Sequence, residues 1–152
     1  MGMKIKIHPM VIGDYGEIMR LWRNTEGVGL SEGDEKSGIR LYLRRNPGLC
    51  FVARDGAGKL IGAVLCGHDG RRGFLYHLAV ARTMQNQGIG RALVDKCVAA
   101  LRSEGIRKCT ILVYANNEKG KQFWRNLGWK ERADLEPMQA AIPMRRSKRQ
   151  AR

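Results

Sequence analysis

Ile5 and Ile7 alternate with Lys4, Lys6 and His8, which predicts a strand over residues 5–8 ended by Pro9, a residue with no N–H for a ladder. Tyr15, Ile18, Met19 and Trp22 then recur at helical spacing behind Asp14, whose carboxylate can cap a helix, and their stripe reads as core. Residues 27–38 are rich in Gly and acids, lack a period, and lead to a helix over 39–45 that stops at Asn46-Pro47-Gly48. Runs at 50–55 and 60–66 flank a turn at Gly56 to Gly58 and predict a hairpin. The Asp69-Gly70 turn feeds a third strand over 74–80. Three neighbouring antiparallel strands follow from that order. Leu93, Val94, Cys97, Val98 and Leu101 mark the buried stripe of a helix over 91–102. After it come a strand over 109–113, a helix over 117–127, and a closing pair of strands at 129–135 and 138–142. The pattern predicts an α/β mixed sheet flanked by helices, in one domain over 1–142 with a basic tail over 143–152.

Composition narrows the class. A chain of 152 residues with 43% hydrophobic positions suits one continuous core and is too small for two. No apolar run approaches the roughly 20 residues that span a bilayer, and residues 1–10 lack a signal-peptide core, so a soluble, cytoplasmic protein is expected. Cys50, Cys66, Cys97 and Cys109 show no paired short spacing, which favours buried thiols over a disulfide framework or a metal site; no metal is expected. The net charge of +14 attracts anions of any kind, a phosphorylated cofactor, RNA or an acidic protein. Arg145-Arg146, Lys148-Arg149 and Arg152 carry no interleaved aromatics and read as a solvated terminus more readily than a nucleic-acid arm.

The chemistry concentrates in Gln85-Asn86-Gln87-Gly88-Ile89-Gly90, which joins the 74–80 strand to the helix behind it. Free N–H groups at a helix start favour an anion through hydrogen bonding and the macrodipole, and glycine lets a ligand approach the backbone. A Walker loop needs Lys then Ser or Thr after its last Gly, whereas this chain continues Arg91-Ala92-Leu93. A dinucleotide turn needs a third small residue near Leu93 and an acid about 20 positions on, and residues 108–113 hold none.

The remaining pattern, Gln-x-x-Gly-x-Gly, resembles the pyrophosphate loop of the GNAT superfamily of acyl-CoA-dependent N-acyltransferases. Asn117, Gly120, Trp124 and the Gly128-Trp129 pair repeat that superfamily's later spacing, and the likeness runs over residues 5–142. Within the superfamily, Phe51 to Asp55, Gly62 to Gly73 and Phe123-Trp124 resemble the YpeA-like bacterial branch. The resemblance implies a central, mostly antiparallel sheet with a parallel pair at the cofactor cleft and helices on both faces. It implies acetyl-CoA as co-substrate and a primary amine as acceptor, on a small molecule or a protein, attacking directly in a ternary complex.

It also implies roles for residues. The backbone of Leu78 and Val80, exposed by a bulge, would meet the pantetheine and thioester oxygen. Gln85, Asn86, Gln87, Gly88, Ile89, Gly90 and Arg91 would hold the pyrophosphate, with Arg82 a weaker charged partner. Asn117, Gly120 and Trp124 would contact the cofactor, although Asn117 also suits a helix N-cap. Many members place at 124 a Tyr that protonates the leaving thiolate. Trp124 has an indole N–H that donates a hydrogen bond without serving as an acid, so packing or cofactor contact is the expected role. The general base is open between Tyr76, on the face carrying Phe74 and Leu78 in a regular strand, His77, on the opposite face unless a bulge intervenes, and a water relay from Glu26, Glu32 or Asp34. His8 and His68 read as solvent-exposed. No Ser or Cys sits in a nucleophile elbow. A non-catalytic acyl-CoA sensor and a basic RNA-associated protein remain as alternatives, and a homodimer is neither required nor excluded.

Overall fold

A computed structural model describes residues 4–145. Strands β1 (Lys6–Pro9), β2 (Phe51–Arg54), β3 (Leu60–His68) and β4 (Gly73–Val80) run antiparallel in that order, and β5 (Cys109–Ile111) adds to β4 in parallel. Parallel neighbours need a crossover, and helix α3 (Ile89–Ser103) supplies it. Helices α1 (Tyr15–Arg23) and α2 (Lys36–Arg45) cover one face, where Ile18, Met19, Trp22 and Ile39 meet Val52, Ala63 and Leu65. The other face packs Leu93, Val94 and Cys97 of α3 on Phe51, Ile61 and Val64, with Phe123 and Trp124 of α4 (Glu118–Asn126) at its rim. The mixed sheet flanked by helices is the architecture the chain's order implied, and the parallel pair is the one the resemblance implied.

The strand pattern breaks at one point that matters for function. Ala63 pairs with Ala79 but Leu65 pairs with Tyr76, so Val64 alone stands opposite both His77 and Leu78, a β-bulge. His77 takes φ 53, a left-handed conformation uncommon for a residue with a side chain. The bulge reverses the alternation: Tyr76 and Ala79 pack on the α1/α2 side, Leu78 and Val80 on the α3/α4 side. Leu78 therefore does not share the face of Tyr76, as a regular strand would require.

Two other local expectations are corrected. Asp14 does not cap α1, because a 3-10 turn (Ile12–Asp14) runs straight into the helix and leaves Asp14 in helical geometry. Its carboxylate instead accepts from the Val11 N–H at 3.0 Å and from Arg54 Nη2 at 2.7 Å. Residues 129–135 and 138–142 form no strands. Arg132 grips Asp134 through two hydrogen bonds of 2.9 and 2.8 Å, the Leu135 N–H turns back to the Arg132 carbonyl, and Pro137 removes a ladder donor, so alternation finds no partner strand. Leu135, Met138 and Ile142 consequently lie exposed, and β5 ends at Ile111, short of the expected Val113. The expected tail over 143–152 falls mostly outside the described residues.

Cys50, Cys66 and Cys97 are buried free thiols and Cys109 is half-buried. Burial pushes the Cys50 thiol up to about 12, and a hydrogen bond with Cys66, then burial, raises Cys97 further. In the unfolded chain a thiol ionises near pH 8.5. Above that pH the unfolded state has shed a proton that folded Cys50 retains, so stability must fall with rising pH, by about 1.4 kcal/mol per unit from this one group until its folded value is reached. Urea midpoints measured at pH 8 and pH 10.5 are expected to drop in that order, and replacing Cys50 with Ala should flatten the decline.

Candidate active site

The segment from Gln85 to Gly88, the expected anion cradle, is a tight turn that leads into α3. Asn86 (φ 63) and Gly88 (φ 81) are left-handed, a combination that turns successive N–H groups the same way, and Gly88 is the N-cap of α3. A Cβ at Gly88 would meet nothing within 4 Å, so the space over these amides is open. Gln85 fixes the turn by donating from Nε2 to the Val80 carbonyl at 3.1 Å, a positioning contact that occupies its side chain. Gly90 serves packing: a Cβ there would come 3.1 Å from Phe123 Cζ, so its small size seats α3 against α4. Asn86, Gln87 and Arg91 are exposed beside the cradle, as is Arg82 in the preceding 3-10 turn (Arg82–Met84), whereas Ile89 is buried as an anchor.

Next to the cradle the sheet opens. The parallel ladder holds Gly73 to Cys109, Phe74 to Thr110 and Leu75 to Ile111 and then stops, so residues 76–80 of β4, Leu78 and Val80 included, have no strand partner on that side among the described residues. Asn117 is the N-cap of α4, accepting from the Gly120 N–H at 2.9 Å. The cap reading is thus correct, and it leaves Asn117 Nδ2 without a partner among the described residues. A Cβ on Gly120 would lie 2.6 Å from that nitrogen and one on Gly27 2.8 Å, so both glycines make room for the amide. Gly128 (φ 87) ends α4: its N–H bonds Arg125 O and the Trp129 N–H bonds Trp124 O, which is the reason for the Gly-Trp pair. Trp124 packs edge-on to Phe123 and against Trp129, with ring centroids 5.2 and 4.8 Å away.

A cavity of about 340 Å³ lies between residues 26–29 and the loop after β5, lined by Glu26, Gly27, Val28, Gly29, Tyr114, Asn116 and Asn117. Glu26 is its one charged lining group. Tyr114 places a phenol here that the sequence pattern did not single out; its signal is the closeness of Gly29, where a Cβ would collide with the hydroxyl.

The bulge carries the titratable cluster. His77 Nε2 lies 2.9 Å from Oδ1 of Asp34, which is 7% exposed. The other oxygen of Asp34 accepts from the Ser31 N–H at 2.9 Å, and the Asp34 carbonyl accepts from the Tyr15 hydroxyl at 2.8 Å. Trp22 donates its indole N–H to the His77 carbonyl at 2.9 Å and packs edge-on to the imidazole. The left-handed His77 costs about 1–3 kcal/mol of backbone strain, and these bonds hold it. His77 thus points into the α1/α2 layer beside Tyr76, opposite to the placement expected of a regular strand. Nδ1 has no partner among the described residues and is not sealed from solvent. Tyr76 stacks on Phe74, and burial raises its phenol above the usual range, which makes it a poor base. Glu32 is exposed at the start of the turn that carries Asp34. His68 is half-buried and bonded to Glu104 at 2.8 Å, and His8 lies beside the Pro9 carbonyl, so neither is merely a solvated group.

Among the described residues no helix is long and apolar enough to cross a membrane, and no group of three His, Cys, Asp or Glu side chains is placed to hold a metal ion. The profile of the acetyltransferase (GNAT) family matches residues 16–129. An acetyltransferase of Sodalis glossinidius is 30% identical over 69% of this chain and 72% of its own, and one of Photorhabdus laumondii 28% identical over 78% and 82%. In structure the chain is similar to Ard1 of Thermoplasma volcanium (TM-score 0.75, 17% identity, 85% of this chain and 84% of that one). It is also similar to the PaiA N-acetyltransferase of Thermoplasma acidophilum solved with coenzyme A (0.73, 20%, 84% and 91%). With the cradle, the parted strands and the bulge in place, the chain belongs to the GNAT family of acetyltransferases.

Proposed function

We propose that the protein transfers the acetyl group of acetyl-CoA to a primary amine by direct attack in a ternary complex, with His77 as general base. The observation that supports this most is the Asp34–His77 pair at the bulge, a strained imidazole held at one nitrogen and open at the other. The cradle from Gln85 to Arg91 takes the pyrophosphate, Asn117 Nδ2 takes an acceptor group of the pantetheine arm, and Gly120 leaves room for it. The amine gives up its ammonium proton to bulk water on entering the site, its lone pair then attacks the thioester carbon, and the backbone amides of Leu78 and Val80 stabilise the oxyanion. Nδ1 of His77 removes the adduct's ammonium proton as the C–S bond breaks, and the thiolate takes a proton from water. Asp34 does not touch substrate; it positions the ring through Nε2. The Glu26 carboxylate in the neighbouring cavity draws a cationic amine toward the site.

Acetyl-CoA offered with a panel of amines, read by thiol release, tests the reaction. Amine-dependent release above the rate of hydrolysis is the expected result. Binding of acetyl-CoA with no amine raising turnover would instead make the protein a cofactor sensor.

A further inference from the structure

At the other end of β4 from the cofactor cradle, Arg71, Arg72, Arg107 and Lys108 line a concavity of about 210 Å³. We propose that this is a second anion site, for a phosphoryl group, separate from the acetyl-transfer centre. The eight-residue length of β4 puts it roughly 20 Å from the cradle.

The fold forces these cations together. Arg71 and Arg72 immediately precede β4 and Arg107 and Lys108 immediately precede β5, whose parallel pairing begins at Gly73 with Cys109, so the two basic pairs enter the sheet side by side, and the Gly73 N–H bonds the Lys108 carbonyl at 2.9 Å. Like charges facing each other across neighbouring strands destabilise a sheet. Asp69 attracts Arg71 through space without forming an ion pair, which offsets part of one charge of the four. None of the four side chains makes an ion pair or hydrogen bond among the described residues, and the nearby carboxylates are already engaged. Glu104 is bonded to His68. Asp69 turns its Oδ1 to the backbone N–H groups of Arg71 and Arg72, at 2.8 and 2.9 Å, which stiffens the turn without pairing their guanidiniums. The C-terminus of α3 attracts cations, but its dipole amounts to about half a charge against four. Gly73 seats the turn hard on α3, since a Cβ there would come 2.8 Å from Leu101 Cδ1, so the cluster is held against a fixed support. Exposed arginine forks without ion pairs around a small concavity suit the tetrahedral oxygens of phosphate.

Inorganic pyrophosphate titrated calorimetrically into the full chain, with coenzyme A saturating the cradle, reads this site alone. A residual binding event is expected. In an Arg72→Ala/Arg107→Ala variant it should weaken at least tenfold while coenzyme A affinity stays within twofold. The same variant should melt at a higher temperature than the parent in low salt, because a repulsion has been removed. A parallel titration of single-stranded RNA separates the sources. RNA affinity that falls with the variant and shows a shallower salt dependence assigns the site to a phosphodiester backbone, and loss confined to pyrophosphate assigns it to a free phosphorylated ligand. If neither ligand responds to the substitutions, or pyrophosphate gives no heat, the proposal is overturned.

Discussion

Replacing His77 with Gln should lower kcat by about 10²–10⁴-fold while leaving acetyl-CoA affinity nearly unchanged, because a positioned general base contributes on that scale and the imidazole faces away from the cradle. Glutamine keeps a polar side chain against Asp34, so the folded pair is not left with a buried, unpartnered carboxylate. The pH dependence sharpens the test. A base must be unprotonated to act, so the rate of the parent should rise with pH along its acid limb, and that limb should vanish in His77→Gln. Asp34→Asn should retain part of the limb and lose roughly 10–100-fold in kcat, since the ring would still be held but its charged form would have lost a carboxylate. Stopped-flow rates over a pH series decide it: a His77→Gln enzyme with parental kcat would transfer the base to a water relay from Glu26 or Glu32.

Gly88→Val is the second large effect, and here affinity should fall, not turnover. At φ 81 a β-branched residue is strained by about 1–2 kcal/mol, and its methyl groups would stand in the open space above the cradle amides. Acetyl-CoA affinity is expected to drop tenfold or more by calorimetry. Gly58→Val supplies the control, because Gly58 has φ 83 and equally open surroundings in the β2–β3 turn, far along the chain from the ligand loop. It should lose similar stability and no affinity. Equal affinity losses in both variants would mean that global strain, not the cradle, was being measured.

These two sites were unequally visible in the sequence. The cradle could be read because its chemistry is local: a left-handed position advertises itself as glycine, and a helix start follows from the apolar stripe behind it. The Asp34–His77 pair could not. Its members are 43 residues apart, and a histidine at positive φ carries no mark in its residue type; only the long-range bonds from Trp22 and Asp34 select that conformation. Face assignments beyond the bulge failed for the same reason, since period-two counting assumes a ladder without an extra residue. The closing strands failed differently. Alternation over 129–142 describes a strand's surface but says nothing of whether an edge is there to receive it, and the local Arg132–Asp134 grip and Pro137 decide against one.

The extra residue in β4 stands outside the strand's phase. Removing His77 by deletion would set Val64 opposite Leu78 alone, and Tyr76, Leu78, Ala79 and Val80 would alternate regularly on the faces they already occupy, so the imidazole and the kink would go while both layers keep their register. Chemistry and core are thus written separately at this place: one codon carries the imidazole, and its loss leaves the two faces of the strand as they are.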